Sequence, residues 1–196
     1  MRFPSDLRLF IAINLPRGVR ASLYRSGELL ALTGADVKWV EMENLHLTLR
    51  FIGGVDPSLL PALRDALAEV GTVHRRFAMR LSSPGTFPAR GVPRVIWAGC
   101  TGDLAVLCAL QRDVEARVVA TGLPPETRPF SPHVTLGRVR SDCNVRALKD
   151  RLSAMREADF GSMEIGAVSL MESRLSSQGP VYQSLFEAPL TFQPVS

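Results

Sequence analysis

The chain has 196 residues, 46% hydrophobic and 21% charged, with 23 basic against 19 acidic side chains and a formal net charge of +4. That length allows one compact body with a good core, or two small lobes sharing a cleft, and the composition excludes disorder. The longest apolar runs, such as Leu9 to Ile13 and Val95 to Ala98, are strand-sized and fall short of the ~20 residues of a membrane-spanning helix, so no membrane partner is expected.

The opening Met1-Arg2-Phe3-Pro4-Ser5-Asp6 runs into a strand pattern without the apolar stretch of a signal peptide, and a cytoplasmic location is the expectation. Cys100, Cys108 and Cys143 are odd in number and form no C-x-x-C pair, which reads as reduced, mostly structural thiols. Nearly all the positive charge is arginine, Lys38 and Lys149 being the only lysines. Arginine forks suit phosphate, although genome composition alone also produces such usage.

In chain order, Leu7 to Leu15 reads as a strand, and Pro16 suits the first turn of a helix running to about Leu32. Val37 to Met42 and Leu45 to Ile52 read as short strands, and Asp56-Pro57 as the start of a helix to about Val70. Strands at Phe77 to Ser82 and Arg94 to Cys100 flank a loop rich in Pro and Gly, Ser83 to Pro93. A helix from Asp103 to about Ala120 and a Pro-rich loop, Leu123 to Pro132, lead to a strand from His133 to Val139. Then come a helix from about Asn144 to Arg156 and strands Met163 to Glu172 and Tyr182 to Ala188, the last two joined by the turn-forming Ser176 to Pro180. Several connections are too short for parallel crossovers, so the class is α+β with mainly antiparallel sheets.

Two of the three histidines begin the same tetrapeptide pattern, His46-Leu47-Thr48-Leu49 and His133-Val134-Thr135-Leu136. Residues two apart on a strand share a face, so each motif sets an imidazole beside a hydroxyl, opposite two core residues. Phosphodiester transfer needs one group to take a proton, one to give a proton, and donors for the phosphoryl oxygens. Two H-x-T elements facing each other supply all three. His74, in Val73-His74-Arg75-Arg76, has no matching threonine and reads as a solvated surface residue. Neither motif carries the further ligand that a catalytic zinc takes, and no metal is expected.

With these motifs, the chain resembles the 2H (two-histidine) phosphoesterase superfamily, specifically the RNA 2',3'-cyclic phosphodiesterases long called 2'-5' RNA ligases (the LigT type). The resemblance extends over Arg8 to Ile13, Lys38 to Gly53, Gly85-Thr86-Phe87-Pro88, Pro129 to Arg138, and Ser173 to Tyr182 with Gly179-Pro180 inside. It implies one bilobal domain over 1–196, two mainly antiparallel sheets with outer helices related by a pseudo-twofold, and a motif on each side of a central cleft. It also implies hydrolysis, without a cofactor, of terminal 2',3'-cyclic phosphates on RNA ends or nucleotides, by a monomer. In that scheme His46 is the proton donor, His133 the proton acceptor, and Thr48 and Thr135 hold the phosphate.

Five residues past the histidines stand Phe51 and Arg138, and the family pattern makes Arg138 a candidate ligand for phosphate or base. Strict alternation would turn it to the side of Val134 and Leu136, so a place in the cleft requires a twist or strand end near Gly137. Phe51, Phe87 and Phe130 are candidates for stacking a base, although phenylalanines in strands commonly belong to the core. Two alternatives share these residues: a 2'-5' RNA ligase running the same proton transfers in reverse, and a noncatalytic RNA-binding module, which would not need both complete motifs.

Overall fold

Period-two burial along the strands and three-to-four spacing along the helices build a sheet with helices on one face, as seen in a computed structural model that describes residues 7–177 and 179–192. The N-terminal hexapeptide, Gln178 of the expected turn and residues 193–196 lie outside the described residues. The elements are β1 (Leu7–Asn14), α1 (Arg17–Ala31), β2 (Val37–Trp39), β3 (His46–Val55), α2 (Leu60–Val73), β4 (Phe77–Phe87), β5 (Val95–Gly102), α3 (Leu104–Ala120), β6 (His133–Val139), α4 (Val145–Ala154), β7 (Asp159–Ile165), β8 (Ala167–Ser176) and β9 (Gly179–Pro189).

Four sequence expectations change. The run Met163 to Glu172 is two strands that part at Gly166: β7 pairs with β4 at one end of the sheet, while β8 pairs with β1 and β9 in the other half. The apolar-rich run is unbroken across the corner, although the core positions shift from Met163 and Ile165 to Val168 and Leu170. The region after Ser82 is not all loop, because β4 absorbs a bulge near Ser83 and continues to Phe87 against β5. Asp56 opens a 3-10 turn, Pro57–Leu59, its Oδ1 accepting from the Ser58 N–H at 2.8 Å, before α2 starts at Leu60. Val37 to Met42 is strand only to Trp39, followed by a 3-10 turn at Met42–Asn44.

The strand order is β7-β4-β5-β6-β3-β1-β8-β9, with β2 also on β6, and every pairing between named strands is antiparallel. The two expected sheets are the halves of this ladder, joined where β3 meets β6 at the single register pair Leu47↔Val134. Helices exchange between the halves. α1 follows β1 but packs on β6 and β7, whereas α3 follows β5 but packs on β3. α2 lies on β8 and β9, and α4 meets α1. α1 buries Val19, Leu23, Gly27 and Leu30, and α3 buries Leu107, Leu110, Val114 and Val118, each one stripe facing the sheet.

α2 comes close to β9 at Gly71, where an added Cβ would lie 2.6 Å from the Pro189 carbonyl oxygen. Helix propensity favours alanine over glycine by ~1 kcal/mol. Backbone overlap opposes it, and overpacking costs about 1–3 kcal/mol. Gly71→Ala should therefore lower stability in urea unfolding; a gain would mean that the helix shifts freely.

Candidate active site

Both motif strands expose their histidine and threonine on the face opposite the core. Leu47 and Leu49 in β3, and Val134 and Leu136 in β6, are buried at 3% exposure or less, while His46, Thr48, His133 and Thr135 are half-buried. The antiparallel Leu47↔Val134 pair is the local twofold: it sets His46 against Thr135 and Thr48 against His133 across the seam. Beyond that pair the strands separate.

The two imidazoles are held alike. His46 Nδ1 lies 2.7 Å from the carbonyl oxygen of Asn44, and His133 Nδ1 lies 2.7 Å from that of Ser131. A carbonyl only accepts, so in each ring Nδ1–H donates and Nε2 is the nitrogen left for chemistry. Neither carbonyl was singled out from the sequence, although both belong to the residue two before the histidine.

Aromatic rings support both imidazoles. Phe10 and Tyr182 enclose His46, with centroids at 4.8 and 5.2 Å, and Phe87 meets His133 edge-on at 5.1 Å. Phe87 leans on Trp97 at 5.2 Å. The Trp97 ring crosses the neighbouring strand over Gly85, where an added Cβ would fall 2.3 Å from it. The Gly85-Thr86-Phe87 signal in the sequence therefore makes room for the ring that backs the second histidine.

One residue past each threonine the ladder slips. Ala12 pairs with Thr48 but Ile11 with Arg50, and Trp97 pairs with Thr135 but Ile96 with Gly137, so Leu49 and Leu136 are the extra residues of two bulges. Each bulge keeps two successive residues inside and returns the next to the open face. This provides the departure from alternation that Arg138 requires, and it brings out Phe51, 53% exposed, at the equivalent place. A cavity of about 410 Å³ is lined by Thr48, Phe51, Phe87, Phe130, His133, Thr135 and Arg138 among others. His46 precedes Thr48 by two residues on the same face of β3.

Arg50 is a residue the sequence reading passed over. It is 7% exposed, with Nε 2.8 Å from Glu115 of α3, a guanidinium nitrogen 3.7 Å from Glu126, and another donating to the Pro124 carbonyl. Arg128 grips Glu126 through both oxygens and, with help from Arg50, holds its carboxyl down to about 2. The first motif strand thereby anchors the loop that carries Ser131, the carbonyl partner of His133. Asn44 plays a matching part, its Nδ2 donating at 2.9 Å to the carbonyl of Pro180 in the β8–β9 hairpin. Its signal was the Gly179-Pro180 pair. His74 is corrected: it is no solvated residue, since its side chain is 17% exposed and its Nε2 lies 3.1 Å from Asp113. Among the described residues no three His, Cys, Asp or Glu side chains cluster as metal ligands would, and no helix is long and apolar enough to cross a membrane.

Burial lowers the His46 pKa below its ordinary 6.5; the bond to Asn44 opposes this in part, and the charge of His133 lowers it further. The two imidazoles thus sense each other. In an NMR titration of the imidazole Cε1–H signals His46 should titrate below 6.5, and His133→Ala should move its midpoint upward while burial keeps it below the ordinary value. An unmoved midpoint would refute the coupling.

A family model described as LigT like Phosphoesterase matches residues 13–97 and 104–182. An Aeropyrum pernix protein named RNA 2',3'-cyclic phosphodiesterase is 38% identical over 165 residues, 84% of this chain and 93% of its own length. A protein of the same name from Methanothermobacter thermautotrophicus is 32% identical over 179 residues, 91% and 96% of the two chains. Among solved structures, TT0787 of Thermus thermophilus aligns with a TM-score of 0.77 at 30% identity, over 93% of this chain and 97% of that one. Escherichia coli LigT complexed with 3'-AMP gives 0.75 at 25% identity, over 95% and 99%. Because these matches run through both motif strands and both halves of an α+β sheet, the chain belongs to the LigT-like phosphoesterases of the two-histidine superfamily.

Proposed function

We propose that the chain opens terminal 2',3'-cyclic phosphates on RNA, leaving a 2'-phosphate, and that it works as one bilobal unit over 1–196 with the motifs facing across its cleft. The observation that carries this reading is the matched pair of imidazoles, each with Nδ1 bound to a main-chain carbonyl and Nε2 without a hydrogen-bond partner among the described residues, beside two threonine hydroxyls. Relatives over most of the chain's length bear the name RNA 2',3'-cyclic phosphodiesterase. The three cysteines are free thiols, which accords with action in the cytoplasm.

Water attacks phosphorus as His133 Nε2 takes its proton. The bond from phosphorus to the 3' oxygen breaks, and His46 gives that oxygen its Nε2 proton. Thr48 and Thr135 donate to the nonbridging oxygens, and Arg138 offsets their charge. His46 ends neutral and His133 protonated, so exchange with solvent resets the pair. The lowered pKa of His46 makes it a stronger acid once protonated, and the phosphate anion supplies the charge that favours its protonated form. No step calls on a metal or a second copy of the chain.

The test is to incubate the protein with an RNA ending in a 2',3'-cyclic phosphate and identify the product terminus. Positioned acids and bases contribute ~100- to 10,000-fold, so His46→Ala and His133→Ala should each lower turnover by at least ~100-fold without unfolding the chain. The wild-type rate should follow a bell-shaped pH curve whose alkaline limb vanishes in His46→Ala and whose acidic limb vanishes in His133→Ala. Near-normal turnover with an intact bell in either variant would sink the assignment. Activity should also persist in a strong chelator; its loss there, restored by zinc or manganese, would overturn the metal-free scheme.

A further inference from the structure

A second cavity, of about 450 Å³, adjoins the first and shares Arg138 with it. Its walls include Lys38, Trp39, Glu41, Glu43 and Tyr182. Lys38 of β2 stands directly opposite Arg138 of β6 in the antiparallel register, so the two cations project side by side from one face. Like charges so placed repel each other, and among the described residues neither is ion-paired to a carboxylate. Two exposed cations held together without an acidic partner, at the edge of a phosphate cleft, suit a second phosphate.

The rest of the cavity suits a nucleotide better than a bare anion. Tyr182 is held by Phe10 at 4.9 Å and by His46 at 5.2 Å, so a fixed aromatic ring borders the space. Glu41 and Glu43 line the same cavity, and carboxylates accept from ribose hydroxyls or base amino groups. The volume falls within the roughly 300–1,000 Å³ of small-molecule sites.

We propose that this cavity is a subsite for the nucleotide preceding the cyclic end, with Lys38 and Arg138 holding the phosphodiester that joins it to the terminal nucleotide. The inference rests on the phosphodiesterase reading above and adds that the preferred substrate is a polynucleotide rather than a mononucleotide. Arg138 is the link, since it lines both cavities.

The experiment compares adenosine 2',3'-cyclic phosphate with ApA ending in the same cyclic phosphate, at low and moderate salt. The dinucleotide should be favoured about 10-fold in kcat/KM, mainly through KM, and less so as salt screens the contact. Lys38→Ala should remove most of that preference while leaving mononucleotide turnover within about twofold, and Lys38→Arg should keep the preference. Equal handling of the two substrates by the wild type, or an equal loss on both in Lys38→Ala, would overturn the subsite. Failure of the wild type to open either substrate would instead overturn the phosphodiesterase reading, and the subsite with it.

Discussion

The contact between Leu47 and Val134 is the constraint on which the site depends. It is the single register pair between the two motif strands, and both residues are fully buried. Because the pairing is antiparallel, it sets each histidine against the opposite threonine. Because it is one pair long, the strands part on either side and leave room for a ligand. A longer ladder would close the cleft, and none at all would leave two sheets free to drift. The exchange of α1 and α3 between the halves binds each half to the other's helices and braces the seam from behind.

Symmetry holds through the threonine and then breaks. Both strands bulge at the leucine that follows, which turns the fifth residue after each histidine to the open face. In one half that residue is Phe51 and in the other Arg138, so a symmetric frame presents an apolar surface on one side and a guanidinium on the other. The inward residue just before it differs as well. Arg50 reaches for carboxylates on α3 and the following loop, whereas Gly137 leaves space that Val37 and Trp39 of β2 fill.

The same asymmetry reaches the two imidazoles. His46 lies between Phe10 and Tyr182, next to the small buried cluster of Phe10, Ala12 and Met171, and burial makes its charged form costly. Two histidines of like sequence and like hydrogen bonding therefore meet different surroundings. Acid and base roles need such a difference, which neither tetrapeptide contains.

Burial of alternate side chains is a local property of the chain, and for that reason the α+β class, most of the elements to within a few residues, and the two H-x-T-L strands were legible before any fold was seen. Gly85 and Gly179-Pro180 stood out as well, without a sign of what they serve. Folding was needed to show that Met163 to Glu172 breaks at Gly166, since one continuous apolar-rich run spans both strands and only the core positions shift, from Met163 and Ile165 to Val168 and Leu170. It was needed to turn Arg138 to the cleft, since a bulge is set by the partner strand and not by the residues it displaces. It also committed Arg50 to Glu115 and Glu126, which lie 65 and 76 positions along the chain, and made Asn44 and Ser131 the residues that fix the tautomers of the histidines. The ion pairs of Arg50 join distant segments and the two carbonyl contacts depend on how the chain bends just before each motif, and a one-dimensional pattern carries no record of either.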